Sequence, residues 1–241
     1  MFAPFVTEYL KLRRSLALLL CIAAPFMVAV LATVMLMDRE QPSNWPAFTI
    51  NMAAMWSFFM LPMTVTALTV LVAQLEHGPR FWNHLLALPV ARWRIFAAKA
   101  GMLVLLVALM SVLLVALMPV AGFVAESLAS GTQLKGNFDL GSAASLVGTM
   151  FAGSVLLIAI QLWAALRFRS FVPPLVIGIG GTFVAVAATG SRQGAFFPWL
   201  IPTNALATDP ARADMAISIG LWGGVALLAL MLVDLSRKEF A

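Results

Sequence analysis

Six apolar runs, each about 20 residues long, are the feature that most restricts this chain: Leu16 to Met37, Phe48 to Leu71, Gly101 to Phe123, Leu146 to Leu166, Phe171 to Ala188 and Ala216 to Val233. Hydrocarbon offers no water to backbone N–H and C=O groups, so runs of this length are expected as helices rather than barrel strands. Composition agrees: 62% of the 241 residues are apolar and 10% are charged, with mean hydropathy +0.99. A soluble domain cannot hide that much apolar surface. The expected fold class is therefore all-α, a polytopic membrane protein with six transmembrane helices forming one domain over residues 1–241. Pro62, inside the second run, is tolerable where neighbours re-satisfy the freed carbonyl. The fifth run is short and carries Gly178, Gly180 and Gly181. Arg13 and Arg14 before the first run also suit a cleaved signal peptide, but the run is longer than an h-region and no small-residue cleavage pattern ends it. The single cysteine, Cys21, excludes an intrachain disulfide framework.

Basic residues orient the spans. With the N-terminus inside, Lys11, Arg13, Arg14, Arg80, Arg92, Arg94, Lys99, Arg167, Arg169, Arg237 and Lys238 fall on the cytoplasmic side, and only Arg39, Lys135, Arg192 and Arg212 outside. Eleven against four is the asymmetry of the positive-inside rule, and losing one span would scramble it. The net charge of +5 is then explained by topology and anionic lipid, with no need of a nucleic-acid partner.

Polar chemistry is sparse. No ionisable residue sits in the middle of a run, which counts against an autonomous ion-coupled carrier. Asn51, Thr64, Thr66, Thr69, Thr149 and Gln161 are mild and suit interhelical hydrogen bonds better than a substrate site. His77 and His84 are seven apart, too far along a helix to share a metal with Glu76. No Gly-x-x-x-x-Gly-Lys-Ser/Thr sequence is present, so ATP hydrolysis by that route is not expected of this chain, and no cofactor or metal site is expected on it.

Two amphipathic stretches stand out. Phe5, Val6, Tyr9, Leu10 and Leu12 share one arc of a helical wheel, with Thr7, Glu8, Lys11 and Arg14 on the other, as expected of an interfacial helix leading into the first span. Pro79 and Pro89 bracket a second, in which Phe81, Trp82, Leu85, Leu86 and Leu88 segregate from Arg80, Asn83, His84 and Ala87. It suits either a membrane-resting helix or one that docks into a groove on a cytoplasmic protein. Two further segments are distinctive. Met52, Met55, Trp56, Phe59, Met60 and Met63 form a stripe able to face a varied hydrophobic substrate, although lipid contact and helix packing explain it more simply. Phe196 to Pro202, with Phe197, Pro198, Trp199 and Pro202, is too apolar for a solvated loop and too short to span, so it should dip into the outer interface or the bundle. Gly220 and Gly224 suit close helix packing, within the chain or between two chains.

The N-terminus and the loop before the third span also carry a family resemblance. EYLKLRRS at Glu8 to Ser15 and QLEHGPRFWNHLLALPVARWRIFAAK at Gln74 to Lys99 resemble the permease subunits of ABC-2 type exporters, in particular the bacitracin- and lantibiotic-immunity permeases. Glu76, Trp82, Leu85, Leu86, Leu88, Pro89, Val90, Arg92, Ala98 and Lys99 occupy the motif positions, the inserted Gly78-Pro79 departs from them, and Phe197 to Pro202 is similar to the family's outer segment. The resemblance implies a bacterial cytoplasmic (inner) membrane protein with both termini cytoplasmic. It also implies a pair of permease chains as homo- or heterodimer, a separate cytoplasmic ABC ATPase carrying ATP and magnesium, and an amphipathic or hydrophobic substrate such as an antimicrobial peptide or lipid-like molecule. It makes Pro79 to Pro89, with Glu76 and Arg92 beside it, the ATPase-coupling helix, and Phe2 to Ser15 the membrane-surface helix. An intramembrane enzyme and a non-transporting scaffold or sensor are the competing expectations.

Overall fold

The computed structural model describes residues 15–38, 43–77, 91–128 and 133–237. Helix α1 (Leu16–Met37) starts at Ser15, whose Oγ accepts from Ala17 N at 3.3 Å. Its buried face is mostly small, with Ala17, Cys21, Ala24, Ala29 and Ala32, while Leu16, Leu19, Ile22 and Phe26 point outward. Small residues let backbones approach where lipid is as apolar as leucine. That face runs along helix α4 (Arg92–Leu128), and Thr33 Oγ1 donates to Ala29 O within its own helix and to Ala121 O across the contact, at 2.9 and 3.3 Å.

A two-residue strand β1 (Ser43–Asn44) pairs in parallel with β2 (Leu134–Lys135), tying together the connections that follow α1 and α4. Glu126 Oε1 accepts from Leu134 N at 2.7 Å, and Gly136 at φ +84° turns the chain away, a conformation that costs glycine little. Trp45 fills the corner beneath the strands, its ring edge-on to Phe48, Phe123 and Phe138. Gly122 lies against that ring, where a Cβ would overlap it.

The second span is one continuous rod in three parts: α2 (Trp45–Met55), a π-helical turn over Trp56–Met60, and α3 (Leu61–His77). Asn44 caps it, accepting from Ala47 N at 2.8 Å. Pro62 has no N–H to offer Phe58 O, so the rod widens there instead of keeping the regular helical ladder. Helix α5 (Leu140–Arg167) is capped by Asp139 and lies at the centre, touching α3, α4 and the last span. Helix α6 (Val172–Ala188) comes after a short turn. The last span joins α7 (Pro210–Ser218), a second π-helical turn over Ile219–Gly223, and α8 (Gly224–Arg237). Gly220 and Gly224 both face α5, where a Cβ would meet the backbone of Gly153 or of Val155 and Leu156, so this pair of glycines is already used inside the chain.

Five helical rods are long and apolar enough to cross a membrane: Leu16–Met37, Trp45–Leu75, Arg92–Leu128, Leu140–Arg167 and Pro210–Arg237. The sixth expected span is the shorter α6 of 17 residues. The rods also outrun the apolar runs at their ends. Helix α4 has 37 residues, and at 1.5 Å each it is about 55 Å long, against about 30 Å of hydrocarbon. Among the described residues the spans alternate between a strand-bearing end, with residues 43–44, 133–139 and 189–209, and an opposite basic end, with Arg92, Arg94, Arg167, Arg169 and Arg237.

Candidate functional site

The segment between α6 and α7 shapes the strand-bearing end. A 3₁₀ turn over Arg192–Phe196, a tight turn over Phe197–Ile201 and a second 3₁₀ turn over Pro202–Leu206 carry the chain inward and back. Its backbone pairs with itself, Leu200 N to Phe197 O at 2.8 Å, Ile201 N to Phe197 O and Asn204 N to Leu200 O at 3.1 Å, which satisfies these main-chain groups as the turn is buried. Trp199 is 6% exposed and Ile201 fully buried. The Trp199 ring lies over Gly181 of α6, where a Cβ would overlap it, and stacks on Phe197 at 5.4 Å between centroids. Pro202 is buried with it, packed at Gly153 of α5, and Pro198 is half-buried.

The stripe on the second span divides. Met52 and Trp56 are completely buried, Met63 is half-buried, and Phe59 is 47% exposed. The π turn accounts for the split, because one extra residue per turn shifts the residues beyond it by roughly 100° relative to a regular helix. The indole N–H of Trp56 and that of Trp199 have no hydrogen-bond partner among the described residues.

Around the Pro202–Leu206 turn lies a cavity of about 400 Å³ lined by, among others, Phe58, Leu200, Asn204, Asp209 and Arg212. Asn204, 8% exposed, donates from Nδ2 to Leu200 O at 2.9 Å and accepts at Oδ1 from Arg212 Nε at 3.2 Å. Asp209 caps α7 by accepting from Ala211 N at 3.0 Å. A second cavity of about 420 Å³, lined by Trp45, Ile50, Asp139 and Leu206 among others, flanks the same turn. Asp139 beside it is held below the usual carboxylate range, first by the Ser142 hydroxyl and then by the N–H groups of Ser142 and Gly141.

At the basic end, Arg92 is exposed at the first turn of α4, and Arg94 lies over the Trp93 ring at 5.5 Å. Lys99, expected in a loop, is instead inside α4 and 1% exposed. Trp163 Nε1 donates to Asp234 Oδ2 at 2.9 Å, joining α5 to α8. Deeper in, Gln161 is fully buried against α6, its amide oriented to donate to Pro174 O at 3.2 Å and accept from Gly178 N at 3.0 Å. Glu76 closes α3, and its side chain lies outside the described residues, as do Arg80, Phe81, Trp82, Leu85, Leu86, Leu88 and Pro89 of the expected coupling helix. Phe5, Glu8, Tyr9, Lys11 and Arg14 of the expected interfacial helix lie outside them too. Among the described residues no group of three His, Cys, Asp or Glu side chains is placed to hold a metal.

The cavity residues Thr203, Asn204, Asp209 and Arg212 carry no motif that marks them in the sequence. Asp209-Pro210 is a readable helix start, a capping side chain followed by proline in the first turn. Nothing local marks the pairing of Asn204 with Arg212 or of Trp163 with Asp234, since contacts between turns and between distant helices leave no periodic trace.

A bundle of long apolar rods with large side chains facing outward is a multi-pass membrane protein. The family model described as ABC-2 family transporter protein matches residues 5–185, and the chain belongs to that family as a membrane permease component. Permeases of this family normally work with an ATPase subunit. No curated protein matches the chain. No solved structure matches it either.

Proposed function

We propose that this chain is the permease subunit of an ATP-driven exporter, expelling an amphipathic or hydrophobic molecule such as an antimicrobial peptide or lipid-like compound. Membership of the ABC-2 family across residues 5–185 carries the reading. Six crossings with the basic end in the cytoplasm follow from the Lys and Arg asymmetry, in the cytoplasmic membrane of a bacterium. Two permease chains pair, as homo- or heterodimer, and the ATPase binds ATP and magnesium. The whole chain, 1–241, acts as one transmembrane domain. Residues 2–15 rest on the membrane surface, and the helix from Pro79 to Pro89 docks on the ATPase through Phe81, Trp82, Leu85 and Leu86, flanked by Glu76, Arg80 and Arg92. The stretch from Phe197 to Pro202 closes the outer end as a re-entrant element, and Phe59 and Met63 offer the plastic surface a hydrophobic substrate needs.

The experiment is reconstitution with a candidate ABC ATPase from the same source, measuring its co-purification and the stimulation of ATP hydrolysis by candidate amphipathic peptides. A Phe81→Glu, Leu85→Glu double variant should insert normally but lose both association and stimulation, because a charge would replace an apolar contact. Full association and stimulation in that variant would reduce the segment to a membrane-resting loop.

A further inference from the structure

We propose that the cavity beside the Pro202–Leu206 turn binds the zwitterionic head group of a membrane amphipath, with its anionic oxygens on Arg212 and its ammonium on Asp209. The side chain of Arg212 is anchored at one point only. Its Nε is committed to Asn204 Oδ1 at 3.2 Å, and Asn204 is itself fixed by Leu200 O. It forms no ion pair among the described residues. The two terminal amino groups of the guanidinium are thereby left as an oriented fork, the geometry that matches a phosphate or carboxylate.

Charge balance narrows the ligand class. Asp209 lines the same cavity, three positions before Arg212 in the first turn of α7, and the two do not pair with each other. One of its oxygens caps the helix by accepting from Ala211 N, which leaves the other free to accept. A simple anion would bring its charge against Asp209, and a simple cation would face Arg212. A ligand carrying both charges a few bonds apart satisfies both.

The remaining lining sets the rest of the ligand. The buried hydroxyl of Thr203 has no partner among the described residues, and buried polar atoms are rarely left unpaired. Phe58, at the π turn, and Leu200 supply apolar wall, and the volume of about 400 Å³ is of the size that holds small ligands. Binding by this chain stands whether or not the bound molecule is then carried across.

The test uses the full chain, delipidated in detergent micelles, with native mass spectrometry reading its retention of palmitoyl-oleoyl phosphatidylethanolamine and of the phosphatidylglycerol with the same acyl chains. Phosphatidylethanolamine should bind about tenfold more tightly or better. Arg212→Gln and Asp209→Asn should each remove that preference. Asparagine caps a helix nearly as well as aspartate, so the second variant changes the charge and not the fold, and thermal unfolding of both variants checks this. Equal retention of the two lipids, or an undiminished preference in both variants, would overturn the proposal. Free phosphoethanolamine competing as strongly as the lipid would overturn its membrane part and make the ligand a soluble zwitterion.

Discussion

Trp199 can lie flat on α6 because residue 181 has no side chain, and the neighbouring glycine gives the control, since nothing lies within 4 Å of a Cβ at Gly180. Gly181→Leu should therefore destabilise the protein by about 1–3 kcal/mol, the usual effect of overpacking. In a background with Trp199 as the only tryptophan, its emission should move to longer wavelength, while Gly180→Ala should leave both readouts unchanged. The sequence displayed these glycines only as a weakness in the fifth run. Their use as sockets, Gly178 for Thr66 and Gln161 and Gly181 for Trp199, depends on partners far along the chain and has no local signature. Asp139 gives a residue-scale pH dependence. Its carboxyl is held below the ordinary value by Ser142 and by the N–H groups of Ser142 and Gly141. The cap's contribution is thus present above the ordinary carboxylate range and lost as pH falls through the lowered value. Amide-exchange protection at Gly141 and Ser142 should fall in acid in the native protein and stay flat in Asp139→Asn.

Among elements, the second span carries the sharpest expectation. Pro62→Ala restores the N–H that Phe58 O lacks, and the π turn over Trp56–Met60 should relax toward a regular helix. Dropping one residue of excess turn rotates α2 against α3 by roughly 100°. Met52→Cys, buried at 0% exposure in the native setting, should then react with a thiol reagent that leaves it untouched when Pro62 is present. Retained protection would mean that the Trp45 corner, and not the proline, sets the phase. Hydropathy located this span well, but a π turn inserts its residue without altering composition. That is why Met52, Trp56, Phe59 and Met63 read as one stripe and fold as two faces. Span ends were underestimated for a related reason. Lys99 and the arginines of α4 break an apolar run without breaking a helix, because lysine and arginine are good helix formers.

For the whole molecule, alternation of the spans makes the loops a test of the complete arrangement. Reporters at 38–46, 130–140 and 192–214 should label from one side of the membrane, and reporters at 80, 167 and 237 from the other. Opposite labelling at 167 and 237 would mean that α6 and the last span do not both cross. Fold class was legible because burial in lipid imposes length and apolarity on the long spans, and the family because the motif from Gln74 to Lys99 is contiguous in sequence, whereas the cavity was not, since its lining comes from the second span, the Leu200–Asp209 stretch and α7. The short α6 has one more implication, which concerns bilayer mechanics. Its 17 residues extend about 25 Å, some 5 Å less than typical hydrocarbon, and in the six-span arrangement proposed above the inward-folded stretch around Trp199 would fill the missing depth. Lipid next to this face must thin or the helix must sink, and either response costs elastic energy that grows with acyl length. Across a series of vesicles with lengthening chains, single-tryptophan emission from Trp199 should shift while that from Trp45, wedged against α4 between Phe48 and Phe138, stays fixed. One side of the protein would then register membrane thickness while the other remains indifferent to it.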